Sequence, residues 1–274
     1  MGTSGAVEEG DLRKIAEGRE AEIFEWEGGT VLRLMRDSHG LESVERQARA
    51  LNAAHDAGIV VPVPGDTTVV NGRHGLVMER IDGPDLLTLL GRKPWHIWSA
   101  GTTTGRLQAE MHEVVAPEGL PNLKDRLKRS IETSDRVPPE MATFALAILA
   151  ELPDGDRLCH GDFHPGNIIK TADRNVIIDW SNVASGDPLA DYARTQLLIQ
   201  LGEPPPGAPF LVRTLAGVGR GALGLAIRRG YASRRAVDKV LLRRWEVPVI
   251  ANRLTEHIEE ERSKLLEAWP QERN

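Results

Sequence analysis

The sequence predicts an α+β fold in which a small antiparallel sheet comes first and a larger, mainly helical part follows. Residues 12–36 contain three short runs rich in apolar and β-branched side chains, separated by glycines. After Gly83, apolar side chains recur every three or four residues, which is typical of amphipathic helices. We therefore expect an N-terminal lobe over residues 1–81 and a C-terminal lobe over residues 82–274.

Each lobe can be divided further from the same patterns. Five strands are expected before Gly83, at residues 14–17, 21–26, 30–35, 60–70 and 76–80. One helix is expected between the third and fourth strands, where Leu41, Val44, Ala48 and Leu51 share one face and Gly58 ends the pattern. Helices are expected beyond Gly83 near residues 86–90, 107–115, 123–131 and 141–152.

Composition narrows the class of protein. The 274 residues can bury a sizeable core, and a net charge of -6 argues against a general nucleic-acid binder. No apolar run approaches the ~18 residues of a membrane span, and the first ten residues lack the pattern of a signal peptide. A single cysteine, Cys159, rules out an internal disulfide framework. We expect a soluble cytoplasmic protein with no membrane or nucleic-acid partner.

The strongest chemical signal is the stretch LCHGDFHPGNIIKTADRNVIIDW, residues 158–180. Two short apolar runs with a turn between them predict a β-hairpin, and a polar loop precedes it. Asp162 and Asn167 lie on the loop, and Asp179 follows the second strand. Two carboxylates and a carboxamide suit Mg²⁺, which proteins usually bind through one or two carboxylates plus substrate phosphates. A phosphoryl transferase also needs a carboxylate to accept the proton of the acceptor hydroxyl.

The same stretch allows other interpretations. His160 and His164 lie four residues apart around Asp162, which is compatible with a zinc or two-metal hydrolase. Such a site needs further ligands, and the other histidines of the chain are scattered. His160 is expected instead to be a packed or hydrogen-bonded loop residue. A purely structural role for the whole stretch is disfavoured because so many polar groups in an apolar setting are costly without a function.

The segment HGDFHPGN matches the H-x-D-x-x-x-x-N catalytic loop of protein kinases, and IDW follows where those enzymes have DFG. In this form the chain resembles the aminoglycoside phosphotransferase and choline kinase family. The resemblance implies a two-lobed, protein-kinase-like fold with Asp162 as catalytic base and with Asn167 and Asp179 as metal ligands. It also implies that Asp191, in GDPLAD, anchors the catalytic loop, which His160 would support.

The resemblance extends to the N-terminal lobe. The strand VLRL resembles the V-A-I-K strand of kinases and places Arg33 in the lysine position, facing the α- and β-phosphates. Glu45 on the following helix would pair with Arg33 and orient it, although Glu42 is also available. The segment LVMERIDG resembles the hinge, where the Glu79 carbonyl and the Ile81 N–H would hold the base of ATP or GTP. An alternative role for Arg33 is that of a surface-strand arginine.

The function predicted from these residues is Mg²⁺-dependent transfer of the γ-phosphoryl group of ATP or GTP to a hydroxyl of a small molecule. An aminoglycoside-like or other antibiotic is the favoured acceptor. A metabolic kinase for a choline-like alcohol or a sugar is the alternative enzyme. A non-catalytic, pseudokinase-like nucleotide-binding module is the alternative outside enzymology, although such a module has no need of a base at Asp162.

The last third of the chain contains charged and glycine-rich segments that the motif does not explain. Nine basic residues lie between Leu211 and Arg244, whereas acidic residues concentrate at Glu256 and 259–261. A polycationic aminoglycoside would require acidic walls, so the family resemblance does not decide the acceptor. The GVGRGALG segment matches a dinucleotide fingerprint by its letters but follows no predicted strand, and EPPPGAP is expected to be a loop.

Overall fold

The structure, a computed structural model, describes residues 12–18, 20–36, 40–201 and 218–270. It forms two compact units. The first contains the described residues up to Gly83 together with Ile169–Ser181, and the second contains Pro84–Ile168 and the described residues from Asn182 onward. The first unit thus ends two residues later than predicted, and it includes a segment that the sequence analysis placed in the C-terminal lobe.

The hairpin joins the first unit through a long-range contact. Its second strand is hydrogen-bonded from the Ile177 N–H to the Val60 carbonyl, 3.0 Å away, in the segment that leads into the fourth strand. In the turn between the two hairpin strands, the Arg174 guanidinium pairs with the Glu79 carboxylate at the end of the fifth strand. These partners are about a hundred residues apart in sequence, which is why local patterns did not predict the assignment.

The first unit is built on a five-stranded antiparallel sheet in the order β1-β2-β3-β5-β4. The strands are β1 Lys14–Glu17, β2 Ala21–Trp26, β3 Thr30–Met35, β4 Pro64–Val70 and β5 Arg73–Glu79, and the helix α1 is Gly40–Asp56. All five predicted strands and the helix are present. Strand β5 begins earlier than predicted because Asn71 and Gly72 both adopt positive φ, which allows a two-residue hairpin turn.

The two faces of β3 differ, and this difference positions a candidate site residue. Leu32 and Leu34 are fully buried in an apolar cluster with Phe24 and Val70. Because side chains alternate along a strand, Arg33 lies on the opposite face of the sheet. Helix α1 packs against β5 with a buried stripe of residues spaced by three and four, and these are Val44, Gln47, Ala50, Leu51 and Ala54.

The second unit is mainly helical. Its helices are α2 Leu86–Arg92, α3 Ile97–Met111, α4 Leu123–Thr133, α5 Pro139–Glu151, α6 Pro188–Leu201, α7 Val218–Ala232, α8 Lys239–Leu254 and α9 Glu259–Glu267. Strand β6, Arg157–Cys159, pairs antiparallel with β9, Ala184–Gly186. The hairpin strands β7, Ile168–Lys170, and β8, Asn175–Ile177, form a third sheet, which apart from Ile168 belongs to the first unit. No helix in the described ranges is both long and apolar enough to cross a membrane.

The glycine-rich segment and the basic residues noted above lie in the last third of the chain. Gly219, Gly221 and Gly224, the glycines of the dinucleotide fingerprint, lie inside helix α7 rather than at a strand-to-helix turn, so the fingerprint has no structural basis. Several of the basic residues that follow are paired with side chains of the same unit, including Arg235 with Glu113 and Arg244 with Glu151. EPPPGAP, the first ten residues and Arg213 lie outside the described residues.

Helices α3 and α7 approach each other closely because glycines line their contact. A Cβ atom at Gly105 would lie 2.0 Å from the Ile227 carbonyl oxygen, and one at Gly230 would lie 2.2 Å from the Thr102 carbonyl oxygen. Both distances are too short for non-bonded atoms, so only glycine permits the observed helix separation. The contact matters for the candidate site because each helix contributes a residue to the network beneath the catalytic loop.

Replacing Gly105 with alanine is therefore expected to lower the free energy of unfolding by about 1–3 kcal/mol, the usual effect of overpacking. Gly221 is the matched control, because it lies on α7 and a Cβ atom added there would meet nothing within 4 Å. There, alanine should be neutral or stabilise by up to about 1 kcal/mol through helix propensity. Urea unfolding measures both variants, and equal effects at the two positions would contradict the packing argument.

Candidate active site

The catalytic loop begins where strand β6 ends, with Leu158 and Cys159 fully buried. Gly161 adopts φ +79°, a conformation that favours glycine. A Cβ atom there would lie 2.2 Å from the Asn182 carbonyl oxygen and 3.0 Å from the Arg126 guanidinium. The available space and the backbone conformation thus both require glycine at the position where protein kinases have arginine. Arg126 from α4 lies beside this glycine.

The Asp191 carboxylate, at the start of α6, holds the beginning of this loop. Its two oxygens accept the backbone N–H groups of His160, at 3.2 Å, and of Gly161, at 2.6 Å. It also accepts hydrogen bonds from His112 and Gln108, at 3.0 and 3.2 Å. Burial raises the pKa of Asp191, but the hydrogen bond and charge of His112 outweigh it and bring the pKa to about 2. This is the contact that the predicted anchoring role requires.

Residues just after α3 and on α6 and α7 extend this support. The Nδ1 atom of His112 lies 2.8 Å from the Tyr231 hydroxyl, and Tyr231 stacks on Tyr192 with ring centroids 4.1 Å apart. On the other side, the Thr195 hydroxyl donates to the Phe163 carbonyl at 2.9 Å. The loop is therefore fixed by buried side chains on both sides of Asp162.

The Asp162 carboxylate is held among three polar side chains. The Asn167 amide donates to the Asp162 carbonyl at 2.8 Å and to its Oδ2 at 3.4 Å. The same Oδ2 is 3.6 Å from His164 Nε2, and Oδ1 is 4.0 Å from the Arg194 guanidinium. Burial raises the pKa of Asp162, but the contact with His164 and the charge of Arg194 outweigh it, so the pKa lies below its ordinary value. Asp162 is therefore a carboxylate at neutral pH.

The two loop histidines are oriented by backbone groups. His164 Nδ1 accepts the Gly166 N–H at 3.0 Å, and this leaves the proton of the neutral ring on Nε2, which faces Asp162. His160 is fully buried, accepts the Asp162 N–H at 3.3 Å and packs edge-on against Phe163. Across the described residues, no three His, Cys, Asp or Glu side chains are grouped closely enough to hold a metal ion. The hydrolase interpretation thus finds no ligand cluster there.

The first unit contains a second polar cluster, centred on Arg33. Its guanidinium lies 3.4 Å from the Asp179 carboxylate and 3.4 Å from the Ser181 hydroxyl, which itself donates to Asp179. Arg33 Nε donates to the Gln47 side chain at 3.0 Å. Asp179 has φ +60°, an uncommon conformation for a residue other than glycine, and its side chain is 41% exposed. Arg33, which was predicted to bind phosphate, and Asp179, which was predicted to bind a metal ion, are thus adjacent.

The predicted pairing of Glu45 with Arg33 is wrong. Glu45 is exposed on α1, and its nearest cation is Arg49, 4.0 Å away on the next turn. Gln47, which is 2% exposed, takes the position beside Arg33 instead. Residues two apart on a helix point in nearly opposite directions, so the two side chains cannot exchange roles. Arg33 consequently has a neutral amide rather than a second carboxylate as its helix partner.

The two hinge residues lie at the end of strand β5. Glu79 is the last residue of the strand; its N–H donates to the Val63 carbonyl at 2.9 Å, and its carboxylate accepts the Val63 N–H at 3.1 Å. Ile81 lies beyond the strand and is half-buried. Their binding of a nucleotide base stays a prediction.

Sequence reasoning missed several residues that surround the candidate site. Arg194 could have been found from its position, because it lies three residues after Asp191 and therefore on the same face of a helix. Gln47 offered a similar signal, because it is a polar residue within the apolar stripe of α1. His164 was considered only as a metal ligand, and its contact with Asp162 depends on loop conformation.

The phosphotransferase enzyme family (APH) model matches residues 11–237, which is well over half of the chain. The chain belongs to the phosphotransferase enzyme family. The match includes the catalytic loop, Asp179, Asp191 and the strands around Arg33, so it covers both polar clusters. Comparison with curated proteins gave no match.

Several proteins of similar fold with solved structures are named for their action on antibiotics. An amicoumacin kinase in complex with AMP-PNP and Ca²⁺ has a TM-score of 0.63 at 14% identity, covering 90% of this chain and 80% of its own. A thermostable aminoglycoside phosphotransferase mutant in complex with ADP and hygromycin B has a TM-score of 0.59 at 17% identity, covering 90% and 86%. A macrolide 2'-phosphotransferase from Brachybacterium faecium has a TM-score of 0.56 at 19% identity, covering 96% and 93%. At these identities the comparisons establish the fold, and the predicted protein-kinase-like α+β class is confirmed.

Proposed function

We propose that this phosphotransferase transfers the γ-phosphoryl group of ATP, or of GTP, to a hydroxyl of a small molecule, with Asp162 as the catalytic base. In this reaction the acceptor oxygen forms a bond to the γ-phosphorus while the bond from that phosphorus to the bridging oxygen breaks. The hydroxyl proton passes to the Asp162 carboxylate, and the nucleoside diphosphate leaves. An antibiotic is the proposed class of acceptor, by analogy with the three neighbours.

The observation that carries this proposal is the state of Asp162. A base must be ionised before it accepts a proton, and the surroundings of Asp162 keep its pKa below the ordinary value. A base must also be aimed, and Asn167 and the Asp191-anchored backbone fix the loop on both sides of it. A carboxylate is a weak base beside an alcohol, so we infer that Asp162 first orients the hydroxyl and receives its proton late in the transfer.

The donor atoms available fit a hard divalent cation. Because Asn167 uses its NH₂ group to bind Asp162, its amide oxygen is the atom left for a metal. Asp179 offers a partly exposed carboxylate. A carboxylate and an amide oxygen, completed by phosphates and water, suit Mg²⁺. We propose that Asn167 and Asp179 hold this ion, which when bound would neutralise charge on the β- and γ-phosphates.

Arg33 is proposed to bind the α- and β-phosphates. Its side chain is 14% exposed, and its guanidinium is held in place by Gln47, Ser181 and Asp179. The partner of Arg33 on α1 is Gln47, a neutral amide. Among the described contacts of Arg33, the negative charge that balances the guanidinium is therefore that of Asp179. A fixed guanidinium fork can bind two phosphate oxygens at once.

Replacing Arg33 with methionine is therefore expected to weaken AMP-PNP binding by about 10- to 100-fold, the usual loss of a charge-assisted hydrogen bond. Calorimetric titration in the presence of Mg²⁺ measures this change. Arg36→Met is the matched control, since Arg36 lies just beyond the same strand and is exposed, with Glu17 and Glu22 as its partners. An equal loss in both variants, or no loss at Arg33, would exclude the phosphate-binding role.

The proposed function is tested by nucleoside diphosphate release. The purified chain is incubated with Mg²⁺ and with ATP or GTP, and acceptors are added from four classes: aminoglycosides, macrolides, choline and simple sugars. We expect release to be stimulated by one class, to require Mg²⁺ and to produce a phosphorylated acceptor. Nucleotide binding without stimulated release by any class would favour the non-catalytic binding module instead.

A further inference from the structure

Arg194 links two acidic side chains of the second unit. It lies on α6, three residues after Asp191, with a side chain that is 13% exposed. Its guanidinium donates to the Gly161 carbonyl, pairs with Glu256 at 2.6 Å and lies 4.0 Å from Asp162 Oδ1. One permanently charged cation therefore separates the proposed base from a second carboxylate.

The pairing continues away from Asp162 with alternating sign. Glu256, just beyond the end of α8, also accepts a hydrogen bond from Arg253. Arg253 in turn forms a two-pronged pair with Glu261 at 2.7 and 2.8 Å, and Glu261 is 2% exposed. Burial raises the pKa of Glu256, but the charges of Arg194 and Arg253 outweigh it and lower the pKa, so Glu256 is ionised at neutral pH. The row is held together by charge from the catalytic loop to α9.

Because of this pairing, the acidic cluster near the end of the chain is not a set of free carboxylates that could bind ammonium groups. Three of its four carboxylates, those of Glu256, Glu259 and Glu261, have an arginine partner, and the partner of Glu259 is Arg136. An acidic wall that binds ammonium groups needs carboxylates whose charge is not already matched. Beside Asp162 the structure provides a guanidinium instead, and a second arginine, Arg126, lies next to Gly161.

We propose that Arg194 is a specificity-determining residue that excludes polycationic acceptors, so that the acceptor carries no ammonium group beside its reacting hydroxyl. The inference rests on the proposed function, and within the antibiotic class it disfavours aminoglycosides; it equally disfavours a choline-like alcohol. An ammonium group next to Asp162 would meet the positive charge of Arg194 at short range, where like charges repel strongly in a partly buried site. Removing Arg194 would leave Asp162 and Glu256 as neighbouring carboxylates, which is a favourable site for a cation.

The test measures binding of hygromycin B, a polycationic probe, by calorimetry with the full-length chain and Mg²⁺. The wild-type protein is expected to bind hygromycin B with a Kd above about 1 mM. Arg194→Gln is expected to tighten this binding by about tenfold or more, because a repulsive charge is removed and Asp162 and Glu256 each lose an arginine partner. Arg194→Lys keeps the positive charge and should behave like the wild type.

The matched control is Arg244→Gln, which makes the same change of net charge by removing the partner of Glu151 on another face of the second unit. It should leave hygromycin B binding unchanged. Tight binding by the wild type, no gain in Arg194→Gln, or an equal gain in Arg244→Gln would each overturn the proposal. If Arg194→Gln fails to unfold cooperatively in urea, Arg194→Met replaces it as a second neutral variant.

Titrations are made with and without AMP-PNP, which separates this inference from the proposed function. A wild-type chain that binds no AMP-PNP would refute the proposed function, while the comparison of Arg194 variants would still decide the inference. ADP release stimulated by hygromycin B in the wild type would support the proposed function and overturn the role of Arg194.

Discussion

Replacing Asp162 with asparagine is expected to lower kcat by about 10²- to 10⁴-fold, the range seen when a general base is lost. The amide has the same shape as the carboxylate but cannot accept a proton from the acceptor hydroxyl. Affinity for AMP-PNP should change by less than about twofold, because the proposed role of Asp162 lies in the transfer step rather than in nucleotide binding. Acceptor-stimulated ADP release and calorimetric titration measure the two quantities on the same preparation.

Asp173→Asn is the control for this variant, because it makes the same chemical change at an exposed residue in the turn between β7 and β8. It should keep wild-type turnover. If Asp162→Asn kept normal turnover, Asp162 could not be the base. A parallel loss of AMP-PNP affinity would instead indicate that the loop had been distorted, a result that circular dichroism and urea unfolding would detect.

The sheet and the helices α1, α2, α4 and α5 were predictable because their signals are local. Alternation of apolar residues located β3 and the glycine after α1 located its end, and both agree with the structure to within a residue or two. The start of β5 was missed because the two-residue turn at Asn71 and Gly72 was treated as part of a longer loop. Turn chemistry, rather than strand periodicity, decides where that strand begins.

The candidate site was predictable to the extent that its residues are close in sequence. Asp162, Asn167 and Asp179 follow from the spacing of a single motif, and Asp191 follows from the GDPLAD segment by resemblance. The Glu45 prediction failed because it relied on analogy of position, whereas the apolar stripe through Val44 and Leu51 shows which residues of α1 face the sheet. Helix phase is a stronger guide to a buried partner than residue charge.

The interactions of Arg194 could not be predicted in full from local patterns. The spacing shows that Arg194 shares a helix face with Asp191. Its partner Glu256, however, is 62 residues away in sequence, just beyond the end of α8. The same limitation applies to the hairpin, whose contact with Val60 assigns it to the first unit. Long-range pairs of this kind depend on how the helices pack. Glycines between α3 and α7 contribute to that packing, but no pattern of charged residues in the sequence indicates it.

Replacing Asp191 with alanine is expected to lower the free energy of unfolding by about 3–5 kcal/mol, the usual cost of removing one partner of a buried ion pair. The substitution removes the acceptor for the His160 and Gly161 N–H groups and for the His112 and Gln108 side chains, all of them buried. Turnover should fall as well, since the loop that carries Asp162 loses its anchor. Urea unfolding at pH 7 measures the stability, and Asp125→Ala, at an exposed position on α4, is the control with an expected change within about 0.5 kcal/mol.

The dependence of the free energy of unfolding on pH tests whether the charge of Asp191 stabilises the fold. Asp191 has a pKa of about 2 in the folded chain, against an ordinary value of 3.8, so it releases its proton more readily when folded than when unfolded. Its ionisation therefore stabilises the fold above pH 4, by about 2 kcal/mol, and this contribution disappears as the pH falls from 4 toward 2. The difference in stability between the wild type and Asp191→Asn, which carries no titrating group at this position, should narrow over that range. A difference that stayed constant from pH 5 to pH 2 would mean that the Asp191 carboxylate does not hold the loop through its charge.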